Sequence, residues 1–157
     1  MRYVIYIFML LLMISCRHRS QSPSVLNKTA SVTLPGDLPE NPLMLHAITS
    51  AIYPKDSITT VLYGNDIAYA HAARKTDGSY PAGTVLYEVA WKQQADEQWF
   101  GANVPQLIKQ IERVEVVSGD TTCYTLFQGD IPRKAEHQKD DAQRTAFILG
   151  RKMLVSP

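Results

Sequence analysis

At 157 residues, with 45% apolar and 20% charged side chains, the chain has the composition of one ordinary globular domain. A formal net charge of +1 gives no electrostatic case for nucleic acid or for an acidic substrate. The only cysteines are Cys16 and Cys123, which leaves no pair for a zinc knuckle or a redox Cys-x-x-Cys.

The chain begins with one positive charge, Arg2, then an almost wholly apolar run over 3–14, closed by Ser15 and Cys16. That order is the pattern of a secretory signal, and the run falls short of the roughly 20 residues needed to span a bilayer. Met13-Ile14-Ser15-Cys16 resembles a bacterial lipobox. The expectation is a signal peptide over 1–15, cleavage before Cys16, and a diacylglycerol thioether on its thiol. A third acyl chain on the freed amine would complete a stable anchor. The protein is then exported, membrane-anchored and facing the periplasm, and Cys123 has no intrachain partner. Residues 16–40, rich in Ser, Pro, Asn and Thr, read as a lipidated tether. Residues 41–157 read as the folded domain.

Within that domain, Leu43, Ala47, Ile48, Ala51 and Ile52 fall at helical spacing. With Asn41 as cap and Pro42 in the first turn they predict a helix over 41–53, stopped by Pro54. The β-branched run 57–63 predicts a strand. Asn65 or Asp66 caps a predicted alanine-rich helix over 67–74. Turn signals follow at Asp77-Gly78 and Pro81-Ala82-Gly83. Residues 84–92 predict a strand with Val85, Tyr87, Val89 and Trp91 on one face and Leu86, Glu88 and Ala90 on the other. The polar run 93–97 is expected to turn the chain, with Trp99 and Phe100 tucked inward after it. Runs 110–117 and 121–127 flank Ser118-Gly119-Asp120 and predict a hairpin. Residues 140–149 predict a final helix, with Ala142, Ala146 and Leu149 on one face and acidic residues at its start. The sum is an α+β domain: one antiparallel sheet of about four or five strands with two or three helices packed on it.

The residues that could carry chemistry are sparse. His46 and His71 fall on predicted helices, and either could ligate a non-covalent haem. His18 lies in the tether and His137 in a polar loop. Tyr87, Trp91, Trp99 and Phe100 are candidates to line a pocket, although aromatics at strand spacing usually pack a core. Glu88, Asp96 and Glu97 are the carboxylates near the central segment. Glu88 shares its face with Leu86 and Ala90, where burial would demand a partner or a raised pKa; exposure at a sheet edge is the expectation. No nucleophile elbow and no phosphate-cradling glycine loop occurs.

Several stretches together resemble the cytochrome P460 family: Leu62-Tyr63-Gly64-Asn65, Tyr80-Pro81-Ala82-Gly83-Thr84-Val85-Leu86, Trp91-Lys92-Gln93, Asp96 with Trp99-Phe100-Gly101-Ala102, and Phe147-Ile148-Leu149-Gly150. The similarity spans roughly residues 43–155. It implies an antiparallel sheet with helices, a periplasmic location and a homodimer. It also implies a c-type haem held by Cys-x-x-Cys-His near the C-terminus and cross-linked by a lysine, in enzymes that oxidise hydroxylamine or relatives that bind small gases. This sequence departs at those points. Cys123 is followed by Tyr124 and Thr125, no cysteine follows it, and Tyr87 stands where the resemblance puts the cross-linking lysine. Covalent haem is therefore not expected. Three readings remain: a binding or structural module, a protein of non-covalent haem, and a haem-free enzyme with Glu88 as base.

Overall fold

The computed structural model describes residues 30–32, 36–74, 79–97, 100–119, 121–129, 131–136 and 140–154. Six strands form one antiparallel sheet in sequential order: β1 (His46–Tyr53), β2 (Ile58–Gly64), β3 (Val85–Ala95), β4 (Asn103–Ser118), β5 (Thr121–Gln128) and β6 (Arg133–Lys134). Helix α1 (Asp66–Ala73) links β2 to β3, and helix α2 (Asp141–Leu149) follows the sheet. The protein is α+β, a six-stranded antiparallel sheet with two helices packed against it.

The first predicted helix is mostly a strand. Asn41 does cap, accepting from the Leu43 N–H at 3.0 Å, but only a 3₁₀ turn over Pro42–Met44 follows. Leu45 is already extended, and His46–Tyr53 pairs along β2. The helical spacing was a product of an irregularity between Ala47 and Thr49. It buries the adjacent residues Ile48 and Thr49 and so breaks the period of two. Long-range pairing and β-branched residues override the local pattern here.

Of the later elements, β2, α1, β5 and α2 lie close to expectation, whereas β4 begins at Asn103 rather than near 110 and β6 makes a sixth strand beyond the four or five expected. Asn65 caps α1, its side-chain oxygen accepting from the Ala68 N–H at 3.0 Å. The same side chain donates to the Gly83 carbonyl at 2.8 Å, tying the start of α1 to the turn before β3. Gly83 has φ +83, a conformation that glycine adopts without strain. Gly64 has a different reason: a Cβ there would lie 2.6 Å from that of Ala68 and 2.7 Å from Ile48 Cδ1. β3 continues through the polar residues to Ala95, so the turn begins later than expected. The turn closes with Asp96 N–H donating to the Ala102 carbonyl at 2.9 Å.

The alternation along β3 divides two cores. Leu86 joins Ile48, Leu62, Val114, Val116, Ala68 of α1, Tyr80 and Ile148 of α2 on the helix side. Tyr87, Val89 and Trp91 join Ile111, Phe127, Val32 and Leu38 on the other side. Val32 and Leu38, in the stretch expected to be tether, are 7% exposed. Trp91 Nε1 donates to the Ala30 carbonyl at 2.8 Å. Arg133 and the Lys134 N–H both donate to the Asp37 carboxylate. Residues 30–32 and 36–45 thus contribute a strap that covers the sheet face opposite the helices.

Candidate functional site

On the helix side, β3 and β4 place Glu88 directly opposite Glu112, and both are 1% exposed. Strand parity brings them there: each occupies an even position in a run whose odd positions, Tyr87, Val89 and Ile111, fill the strap-side core. The expectation of an edge-exposed Glu88 was wrong. β3 lies in the interior of the sheet, between β2 and β4, and both its faces are covered.

Helix α2 and the segment after it supply the counter-charges. Arg144 grips Glu112 in a bidentate pair, Nε to Oε1 at 2.8 Å and Nη2 to Oε2 at 2.7 Å. Tyr124 OH donates to Glu112 Oε1 at 2.6 Å and Gln110 Nε2 to Oε2 at 3.1 Å. Glu88 is poorer in donors. Arg151 Nη1 reaches its Oε1 at 2.9 Å and Thr60 Oγ1 at 3.3 Å. Glu88 Oε2 is buried and has no hydrogen-bond partner among the described residues. Both guanidiniums lie over the Phe147 ring, Arg144 at 4.8 Å and Arg151 at 5.7 Å from its centroid.

These surroundings part the two carboxyls. Burial pushes the Glu88 pKa up, and the Arg151 charge and the neighbouring Thr60 hydroxyl only partly counter it. Burial also works against the Glu112 carboxylate. There the hydrogen bonds from Arg144 and Tyr124, with the Arg144 charge, prevail and hold the pKa below its ordinary value. Burial, then the bond to Glu112, raises the Tyr124 phenol.

Two clefts flank α2. One, of about 400 Å³, has Thr60, Ala90 and Gln110 beside the two glutamates, with Tyr53 and Phe147 also among the residues that line it. The other, of about 610 Å³, is lined by Tyr80, Val116, Tyr124, Thr145 and Leu149 among others.

Of the candidate site residues that are described, Glu88 alone lines the first cleft. Tyr87 and Trp91 project to the opposite face, into the strap-side core, so they share no pocket with Glu88. The Tyr87 phenol lies among Glu40 and Arg113, with its pKa pushed up by burial to about 12. Phe100 is not tucked inward: at 108% relative exposure it stands out from the β3–β4 turn, where the backbone passes through Gly101 at φ +82. Trp99, His18, His137 and Cys16 lie outside the described residues. His46 is on β1 rather than a helix, bonded to Asp66 at 2.7 Å with its ring 4.7 Å from that of Tyr69. His71 lies on α1, its ring 4.5 Å from that of Tyr80. Neither histidine lines either cleft. Asp96 and Glu97 belong to the β3–β4 turn, away from the paired glutamates.

Glu112, Arg144 and Arg151 escaped the sequence reading. A signal was present for two of them: a Glu inside an alternating strand at 112, and Arg144 three residues before Phe147, on one face of the expected helix; Arg151 lies beyond the helix end at Leu149.

The chain matches no protein-family model and no curated protein sequence. Among the described residues no helix is long and apolar enough to cross a membrane, and no group of three or more His, Cys, Asp and Glu side chains is arranged to hold a metal ion.

Proposed function

We propose that this chain is a lipid-anchored periplasmic binding module of cytochrome P460-like fold, which holds a small polar ligand in the cleft over Glu88 and carries no covalent haem. One observation carries the binding part: Glu88 Oε2, buried without a hydrogen-bond partner among the described residues, belongs to a side chain that lines an open cleft of about 400 Å³. A buried carboxylate oxygen with nothing to accept costs free energy, and a ligand that donates to it removes that cost. The P460-like part is supported by where the motif residues lie. Gly64, Asn65, Gly83 and Thr84 form the joint between β2, α1, β3 and β4, with Gly83 N–H donating to the Val116 carbonyl and Val116 N–H to that of Thr84. Ile148 fills the core beneath α2. These are roles in architecture, consistent with a shared fold and a changed site.

Among the described histidines, His46 and His71 face aromatic rings and line neither cleft; the haem-free part of the proposal rests on the missing Cys-x-x-Cys-His. The anchor rests on the lipobox. From Cys16 to Ala30 is fourteen residues (30 − 16), a reach of at most about 50 Å, which would keep the strap and domain close to the membrane surface.

The test is made on the full chain purified from bacterial membranes in detergent. Fragments that raise its melting temperature should lose that effect in Ala90→Val, which fills the cleft beside Glu88. Hits indifferent to Ala90→Val sink the assignment of the site. A Soret band that co-elutes at one haem per chain and disappears in His46→Ala or His71→Ala overturns the haem-free part. Cys16→Ser should release the protein from the membrane fraction.

One observation favours a second reading, a haem-free enzyme with Glu88 as general acid or base. The pKa values of Glu88 and Glu112 are driven in opposite directions, which is how paired carboxyls take separate roles in acid–base catalysis. A turnover whose pH profile is lost in Glu88→Gln would establish it.

A further inference from the structure

The binding reading can be taken as far as the chemistry of the ligand. Four charged groups meet at the buried end of the cleft. Glu88 comes from β3, Glu112 from β4, Arg144 from α2 and Arg151 from the segment after it; β2 adds only the neutral hydroxyl of Thr60. Two carboxylates and two guanidiniums cancel, and each guanidinium is already bonded to a carboxylate oxygen. A cation or an anion brought to this end would add a charge that nothing there compensates, at the cost of its hydration. The rim does not alter the balance: Asp56 and Lys109, one of each sign, also line the cleft but are exposed and therefore screened. What remains unsatisfied among the described residues is a single acceptor, the buried Glu88 Oε2, on a side chain that lines the cleft together with the aromatic surfaces of Tyr53 and Phe147.

We infer that the cleft takes a small, uncharged molecule that presents a hydroxyl or amide N–H donor to Glu88 Oε2 and an apolar or aromatic body to Tyr53 and Phe147. The inference rests on the binding reading above. It has a consequence in pH. A donor bonded to Oε2 favours the charged form of Glu88, the form that burial disfavours. Across the titration of Glu88, binding is therefore coupled to proton release and affinity rises with pH.

Three probes of nearly one shape separate the cases: benzamide, benzamidinium and benzoate. Each is titrated into the full chain in detergent micelles, with ¹³C-carboxyl glutamate and backbone ¹⁵N resonances followed by NMR. Benzamide should shift the Glu88 carboxyl resonance saturably and more tightly than either ion, with an affinity that increases with pH. In Glu88→Gln the new amide keeps its oxygen on Arg151 and turns its NH₂ to the ligand, so an acceptor becomes a donor. Benzamide affinity, read from the amides of β3 and β4, should fall about tenfold, the cost of one unsatisfied buried contact. Should Glu88→Gln fail to fold, Ala90→Val provides the same readout by closing the cleft while the four charges stay in place. Tighter saturation of Glu88 by benzamidinium or benzoate overturns the neutral-donor inference and leaves the binding reading standing. Benzamide affinity unchanged in both variants, or independent of pH, overturns the inference as well. Failure of all three probes to move the Glu88 resonance up to their solubility overturns both.

Discussion

On the strap side of the sheet, Tyr87, Val89, Trp91, Ile111 and Phe127 meet Val32 and Leu38. The polar tips there find partners, Trp91 Nε1 at the Ala30 carbonyl and the Tyr87 hydroxyl between Glu40 and Arg113. On the helix side, one residue along the same strands, Glu88 and Glu112 take the central positions, and one carboxylate oxygen has no partner among the described residues, on a side chain that lines an open cleft. A face sealed by the chain itself can be built for stability alone. A face that buries two carboxylates gives stability away, because apolar residues of like volume would serve as well or better. That contrast is the reason the proposed site is put on the helix side.

The largest effect should come from breaking the sealed face. Trp91 is 4% exposed, and Trp91→Ala removes both its bulk and its bond to the strap. A loss of about 3–5 kcal/mol is expected from denaturant unfolding. A loss below about 1 kcal/mol would mean that the strap adds little and that the two faces do not differ as described.

Next in size is Glu112→Ala, which strips Arg144 and Tyr124 of their shared acceptor. About 3 kcal/mol is expected, the low end for breaking a buried pair, since the Arg144 side chain is 38% exposed and can recover water. Arg151→Met should cost less, about 1–2 kcal/mol, because the abandoned Glu88 can take up a proton. Equal losses in the two variants would erase the distinction between a fixed carboxylate and a titratable one.

These positions also mark how far the sequence could be read. The alternation of 84–92 assigned the side chains from Val85 to Trp91 to their faces of β3, and the turn at Pro81-Ala82-Gly83, the α1 cap and the β4–β5 hairpin followed from local rules. The strand over His46–Tyr53 did not, because its irregularity imitates helical spacing and its stability lies in pairing with β2. The site was legible only at Glu88. Its partners come from 24, 56 and 63 positions later in the chain (112 − 88, 144 − 88, 151 − 88), and a local pattern holds no record of register or of helix docking. The aromatic set Tyr87, Trp91 and Phe100 misled for a related reason: nearness in sequence says little about a common pocket when a strand alternates and a turn projects outward.

The smallest effect discriminates best between the two glutamates. The folded-state pKa of Glu88 lies above its ordinary 4.5, so between those values the native state holds a proton that the unfolded state has released. Its contribution to stability is present below about pH 4.5 and fades as pH rises through the raised pKa. Glu112 behaves in the opposite sense. Its pKa is lowered from 4.5, so its contribution is present above about pH 4.5 and is lost as pH falls through the lowered value. Glu88→Gln should therefore gain stability relative to the parent chain as pH increases above 4.5, on a scale of about 1 kcal/mol. Glu112→Gln should lose ground relative to the parent as pH increases toward 4.5, then keep a constant deficit above it. Melting temperatures from acid to neutral pH measure both slopes. Slopes of one sign would show that the two carboxyls titrate alike, and the case for Glu88 as the group that meets a ligand would fall with them.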